Sequence, residues 1–175
     1  MKTWNLSIRG NSPFTVRKHI ERPSMLEKLY NDRILALAEG LNKDDRLDHP
    51  QATVTLDSPL CGSRIRVDLV LEDGRVAEYG QQVRACALGQ SAAAIMKKLA
   101  VGRDEAELTR VRDRMQAMLK QDGPPPEGDW AELAILEPAR AHKSRHASIM
   151  LPFNAILKAI EQIKSGTDTS DDTTT

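Results

Sequence analysis

The 175-residue sequence is poor in aromatic side chains, with two Trp, two Tyr and two Phe. Any core must therefore be filled by Leu, Ile, Val, Ala and Met. Cysteine is scarce as well. Cys61 and Cys86 are the two present, too few for a disulfide framework, and a chain of this length does not depend on one. Net charge is absent, because 25 Lys and Arg balance 25 Asp and Glu. Without an overall positive field, a protein that lives on nucleic-acid phosphates is not expected. No apolar run approaches the ~20 residues of a membrane-spanning helix. The longest, around 91–96, is stopped by Lys97 and Lys98. The first twenty residues also lack a continuous apolar stretch, so no secretory signal is expected and the cytoplasm is the default compartment. Neither nucleic acid nor membrane is an expected partner.

Hydrophobic residues make up 40% of the chain, enough to close the core of one domain. Residues 1–23 are basic and weakly periodic, and are read as a disordered extension. Ser24 and Glu27 have the spacing of a capping box, which opens a helix expected over 24–40 on Leu26, Leu29, Tyr30, Ile34 and Leu37. The segment NKDDRLDHP (42–50) is read as a polar loop. Strand signals follow: Thr53 to Leu56, then the alternation of Ile65, Val67, Leu69 and Leu71 with Arg64, Arg66 and Asp68. Asp73-Gly74 is a hairpin turn, and 76–85 is expected to return antiparallel, which makes a three-stranded meander. From Cys86 the period becomes helical. One helix carries Leu88, Ala92, Ile95, Met96 and Leu99; a second, capped by Asp104, carries Leu108, Val111, Met115, Met118 and Leu119. A short helix near Trp130 is expected to end at Pro138. The last helix is expected over 148–164, with Pro152 in its first turn. The acidic tail 165–175 is read as disordered. Strands followed by helices mean α+β, with helices on one face of an antiparallel sheet.

Chemistry is confined to a few residues. Cys61 sits in the turn before the alternating strand, and Cys86 at the junction of the last strand and the first following helix. In a meander those two points share one end of the sheet, so sulfurs 25 residues apart converge. The helix start after Cys86 adds positive potential that favours thiolate, which is both a soft-metal ligand and a nucleophile. Two thiolates are half a tetrahedral site. His142 and His146, in the basic stretch ARAHKSRH, are candidates for completing it. The blander alternatives stand beside these: cysteine as a small buried hydrophobe, histidine as a solvated residue of a basic loop. No G-x-S-x-G, H-E-x-x-H, P-loop or dinucleotide fingerprint occurs.

The segments SPLCGSRIRVDLVLEDGRV, VRACALGQSAAAIM and SRHASIMLPFNAI together resemble the NifU-like family, the IscU/SufU type of iron–sulfur cluster assembly scaffold. The resemblance covers about 25–164, and 24–164 is read as the scaffold domain. It implies an α+β fold with three antiparallel strands and helices on one face. It also implies a site in which three cysteines and one aspartate hold a transient iron–sulfur cluster, or zinc, with sulfur supplied by a cysteine desulfurase.

Cys61 and Cys86 match the first two cysteines of that pattern. Ser63 stands where the aspartate would be. An ungapped match of Arg145, Leu151, Phe153 and Ala155 puts Ser148 at the third cysteine, with His146 two residues earlier as an alternative third ligand. Serine hydroxyls are poor ligands at neutral pH. The resemblance therefore implies iron or a [2Fe–2S] cluster, zinc as the alternative, on Cys61, Cys86 and His146, with Ser63, Arg145 and Ser148 around it. The missing donors would come from a small thiol, from a partner's cysteine, or from a second subunit of a homodimer sharing a bridging cluster. The expected role is that of a carrier delivering to recipient apo-proteins, not an enzyme turning over a small substrate. Two rival readings remain: a persulfide acceptor for the desulfurase with Cys61 or Cys86 as acceptor thiol, and a paralogue that keeps the fold without the metal and acts as an interaction module.

Overall fold

The computed structural model describes residues 31–59 and 61–166. In chain order these form α1 (Asp32–Glu39), β1 (Asp44–Asp45), β2 (Ala52–Asp57), β3 (Arg64–Glu72), β4 (Arg75–Arg84), α2 (Ala87–Leu99), α3 (Glu105–Lys120), a 3-10 run (Gly128–Ala141) and α4 (Lys143–Ser165). The sheet is antiparallel in the order β1-β4-β3-β2. The expected meander is β2–β4, and the Asp73-Gly74 turn between β3 and β4 takes positive φ at both residues (51° and 76°), as a two-residue hairpin requires.

The sheet has four strands instead of three. Asp44 and Asp45 pair with Gln82 and Gln81, inside the segment read as a loop. A two-residue polar strand has no alternation to read; it exists because the β4 edge offers it backbone partners. The same loop covers the outer face of the sheet. Asp68 is fully buried there, accepting from the Arg46 guanidinium, from Leu47 N–H at 3.2 Å and from the Thr53 hydroxyl at 2.7 Å.

The other face is packed by α4, which crosses β2 and β3 and is flanked by α2 and α3; α1 lies on α2. Ile65, Val67 and Leu69 of β3 meet Leu88, Ile95 and Met96 of α2, Met115 and Met118 of α3, and Phe153 and Ile156 of α4 in one core. Phe153 is among the largest fully buried side chains, and burying a side chain of this size is worth about 1.5–3 kcal/mol.

Three helix boundaries differ from expectation. The N-cap of α1 is Asn31, whose side chain accepts from Ile34 N–H; the Ser24 capping box lies outside the described residues, as do the extension 1–23 and most of the tail. The short helix near Trp130 is a 3-10 run that continues through Pro138. Helix α4 starts at Lys143, so Pro152 lies in its interior. Proline there has no N–H for the Ser148 carbonyl one turn back, a defect tolerated because Pro152 is buried in packing contacts.

Candidate functional site

The register places Asp57, Arg64 and Arg84 side by side at one end of the sheet. The β2–β3 turn, which carries Cys61, and the start of α2, capped by Cys86, therefore occupy the same rim. The turn is closed by Ser58 N–H to Ser63 O (2.7 Å) and Gly62 N–H to Ser58 O (3.1 Å), and Gly62 takes φ 64°. A side chain at that φ would strain the turn, which explains glycine after the cysteine.

Three serine side chains form a continuous chain with the two thiols. Cys61 Sγ lies 3.1 Å from Ser58 Oγ and 3.2 Å from Ser63 Oγ. Ser148 of α4 donates to Ser63 Oγ at 2.9 Å, and Cys86 Sγ lies 3.5 Å from Ser148 Oγ. The three serines are buried, while both thiols are half-buried and unpaired. Helix α2 comes this close because its first turn contains a glycine: a Cβ on Gly89 would stand 2.3 Å from Ser148 Oγ.

Burial pushes the Cys61 thiol up, but it is outweighed. Hydrogen bonds from the Ser58 and Ser63 hydroxyls, the Ser63 backbone N–H and the Ser148 hydroxyl stabilise the thiolate and bring its pKa down to about 7. Hydroxyl protons rotate freely, so the serines accept from the thiol or donate to the thiolate as required.

His146 does not join this group. With α4 starting at Lys143, residues 146 and 148 lie about 200° apart around the helix axis. The imidazole is buried with Nε2 2.9 Å from the Ala139 carbonyl oxygen, so it is not a solvated loop residue. His142 caps the end of the 3-10 run. Arg145 is on the Ser148 face, one turn earlier, half-buried and without an ion pair among the described residues. Ser58 had not been singled out in the sequence; its only signal is a hydroxyl residue entering a Pro-containing turn.

Among the described residues, no three His, Cys, Asp or Glu side chains gather as a metal site. The rim offers two thiols and three serine hydroxyls; hydroxyls are poor ligands at neutral pH, so two thiolates are the effective donors, half of a tetrahedral set. No helix among the described residues is long and apolar enough to cross a membrane.

No protein-family model matches the sequence, and no curated protein matches it. Solved structures do. A nitrogen-fixing NifU-like protein (N-terminal) from Brucella abortus is 41% identical over 82% of this chain and 100% of its own, with a TM-score of 0.79. A putative iron–sulfur cluster assembly scaffold protein for the SUF system from the thermophile Fervidobacterium islandicum AW-1 is 12% identical over 77% of this chain and 98% of its own, with a TM-score of 0.70. A structure described as a hypothetical protein is 18% identical with the same coverage and a TM-score of 0.68. The last two share the fold.

Proposed function

The chain belongs to the NifU-like family, and from that premise we propose that it is an iron–sulfur cluster assembly scaffold, a carrier and not a turnover enzyme, with residues 24–164 as the scaffold domain. Its cargo is iron or a labile [2Fe–2S] cluster held by Cys61 and Cys86. The observation that carries this reading is the thiol–hydroxyl chain at the sheet rim, where both cysteines contact serines that contact each other. Two thiolates leave coordination positions for donors from outside, such as a small thiol, a partner's cysteine or a second subunit. A carrier benefits from that arrangement, because cargo held by fewer protein ligands is released more readily to an apo-protein.

The test is anaerobic reconstitution of the full chain with iron and sulfide. A visible sulfur-to-iron charge-transfer band is expected, lost in Cys61→Ala and in Cys86→Ala. A colourless wild-type protein would count decisively against the reading.

A second reading is favoured by the low pKa of Cys61, about 7. As thiolate at neutral pH, Cys61 would attack the outer sulfur of a cysteine desulfurase persulfide, with or without zinc nearby. One S–S bond forms at Cys61, the donor's S–S bond breaks, and the desulfurase cysteine leaves as thiolate, so no further oxidant or reductant is needed. Mass spectrometry after incubation with a desulfurase and its cysteine substrate distinguishes the two readings: a one-sulfur adduct on Cys61 supports sulfur acceptance, and an unmodified chain opposes it.

A further inference from the structure

Helices α3 and α4 begin in opposite ways. At α3 the Asp104 side chain accepts from Glu107 N–H at 2.8 Å, and Glu105 and Glu107 put negative charge in the first turn, where the helix dipole favours it. At α4 the N-cap is His142, which makes no side-chain capping bond. No acid stands in the first turn. Lys143 and Arg145 stand there instead, cations at the end that favours anions. His142 Nε2 is buried without a hydrogen-bond partner among the described residues. That lack is relieved when water reaches the ring, so it weighs against the closed form.

The segment is weakened from its other side too. Pro152 has no N–H for the Ser148 carbonyl, and its ring crowds the same carbonyl. The interruption falls on the residue whose hydroxyl bonds Ser63 at 2.9 Å and lies 3.5 Å from Cys86 Sγ. From Ile149 onward α4 is anchored, with Ile149, Met150, Leu151 and Phe153 all buried in the core. Ahead of that anchor, the side-chain bonds that tie residues 143–148 to the rest of the chain come from Ser148 and His146, and none is an ion pair among the described residues.

An uncapped start, first-turn cations, a stranded imidazole nitrogen and a proline-broken ladder thus coincide in the one helix start that covers the thiols. We infer that residues 143–148 are a lid on the rim. They unwind locally, short of global unfolding, and carry the Ser148 hydroxyl away from Ser63 and Cys86. What enters is the cargo of the carrier reading, on which this inference rests for its purpose. The lid itself is tested on thiol access, so either can fail without the other.

Native-state hydrogen exchange of the full chain compares Ala147 and Ser148 with Thr109 and Arg110, which hold the same fifth and sixth places in α3. Protection of the α4 pair should be lower by about tenfold or more, the worth of a missing cap and opposed charge. His142→Asp/Lys143→Glu supplies both features and should raise that protection roughly tenfold. Lys143→Glu alone, on an exposed side chain, should give part of the gain. In a Cys61→Ala background the double substitution should slow labelling of Cys86 by the bulky fluorescein maleimide by a similar factor, and labelling by iodoacetamide less. Equal protection of the two helix starts in the wild type, no gain in either variant, or slowed exchange with unchanged maleimide labelling overturns the inference. The wild-type comparison needs no variant to fold.

Discussion

The Ser148 hydroxyl donates to that of Ser63 over 2.9 Å, joining α4 to the start of β3 across 85 positions of sequence. Ser63 Oγ is also 3.2 Å from Cys61 Sγ, and Ser148 Oγ 3.5 Å from Cys86 Sγ. The bond thus connects the surroundings of the two thiols, and a change at either serine is felt at both.

Supplying the missing donors should convert the rim from a half-site to a closed one. The double variant Ser63→Asp/Ser148→Cys is expected to bind cobalt(II) more tightly than the wild type, with a stronger thiolate-to-cobalt band and tetrahedral visible absorption. Affinity measured by chelator competition in the absence of added thiol checks this. An unchanged spectrum would mean that the four side chains do not converge on one point.

Cys61 should react as an unusually acidic thiol. In a Cys86→Ala background, the rate of alkylation by iodoacetamide should rise with pH and reach half its maximum near pH 7, against ~8.5 for an unperturbed cysteine. Ser63→Ala should move that midpoint upward, because a donor to the thiolate is lost. The folded-state value is depressed, so the associated stability is present above the unfolded pKa of ~8.5 and is lost as pH falls through about 7. A wild-type midpoint at or above the ordinary value would refute the hydrogen-bonded thiolate.

Gly89→Ala should be destabilising although alanine is the better helix former. Its Cβ would fall 2.3 Å from Ser148 Oγ and 2.9 Å from Ala85 Cβ. Relieving the overlap requires α2 and α4 to separate, at a cost of about 1–3 kcal/mol, measurable by urea denaturation. The same variant should slow Cys61 alkylation at pH 7, since Ser148 cannot move without disturbing Ser63.

Asp68→Ala should loosen the loop that covers the outer face of the sheet. Burial raises the Asp68 pKa, but the Arg46 guanidinium, the Thr53 hydroxyl and the Leu47 N–H outweigh it and hold the carboxyl below its usual value. The resulting stability is present above the unfolded pKa of ~3.9 and is lost as pH falls through the lower folded value. At neutral pH the substitution should cost about 2–3 kcal/mol, because Arg46 stays partly solvated when its partner is removed. Amide exchange of Leu47 should accelerate. Unchanged acid stability in the variant would rule out this carboxylate as the latch.

Much of the architecture was legible in the sequence because it rests on local periodicity. The alternation of Ile65, Val67 and Leu69 needs one buried face, and Leu108, Val111, Met115, Met118 and Leu119 need one helical stripe; all eight are buried. β1 was not legible, since its two aspartates are held by the β4 edge and not by any preference of their own. The start of α4 was missed for a related reason. Residues 143–147 are polar or small, and they become helical only because Ser148, Ile149 and the residues after them are docked on the sheet.

The candidate site divides along the same line. From the sequence alone came two cysteines at the ends of strands, and the antiparallel order that brings those ends to one rim. Which side chains stand between them was decided in three dimensions. The helical phase of α4 turns Ser148 toward Ser63 and Cys86 and sends His146 the other way, to the Ala139 carbonyl. Periodicity is written residue by residue along the chain, but the rotation of a helix about its axis is set by everything packed against it. Two residues along α4 are the difference between a side chain at the thiol rim and one at the Ala139 carbonyl.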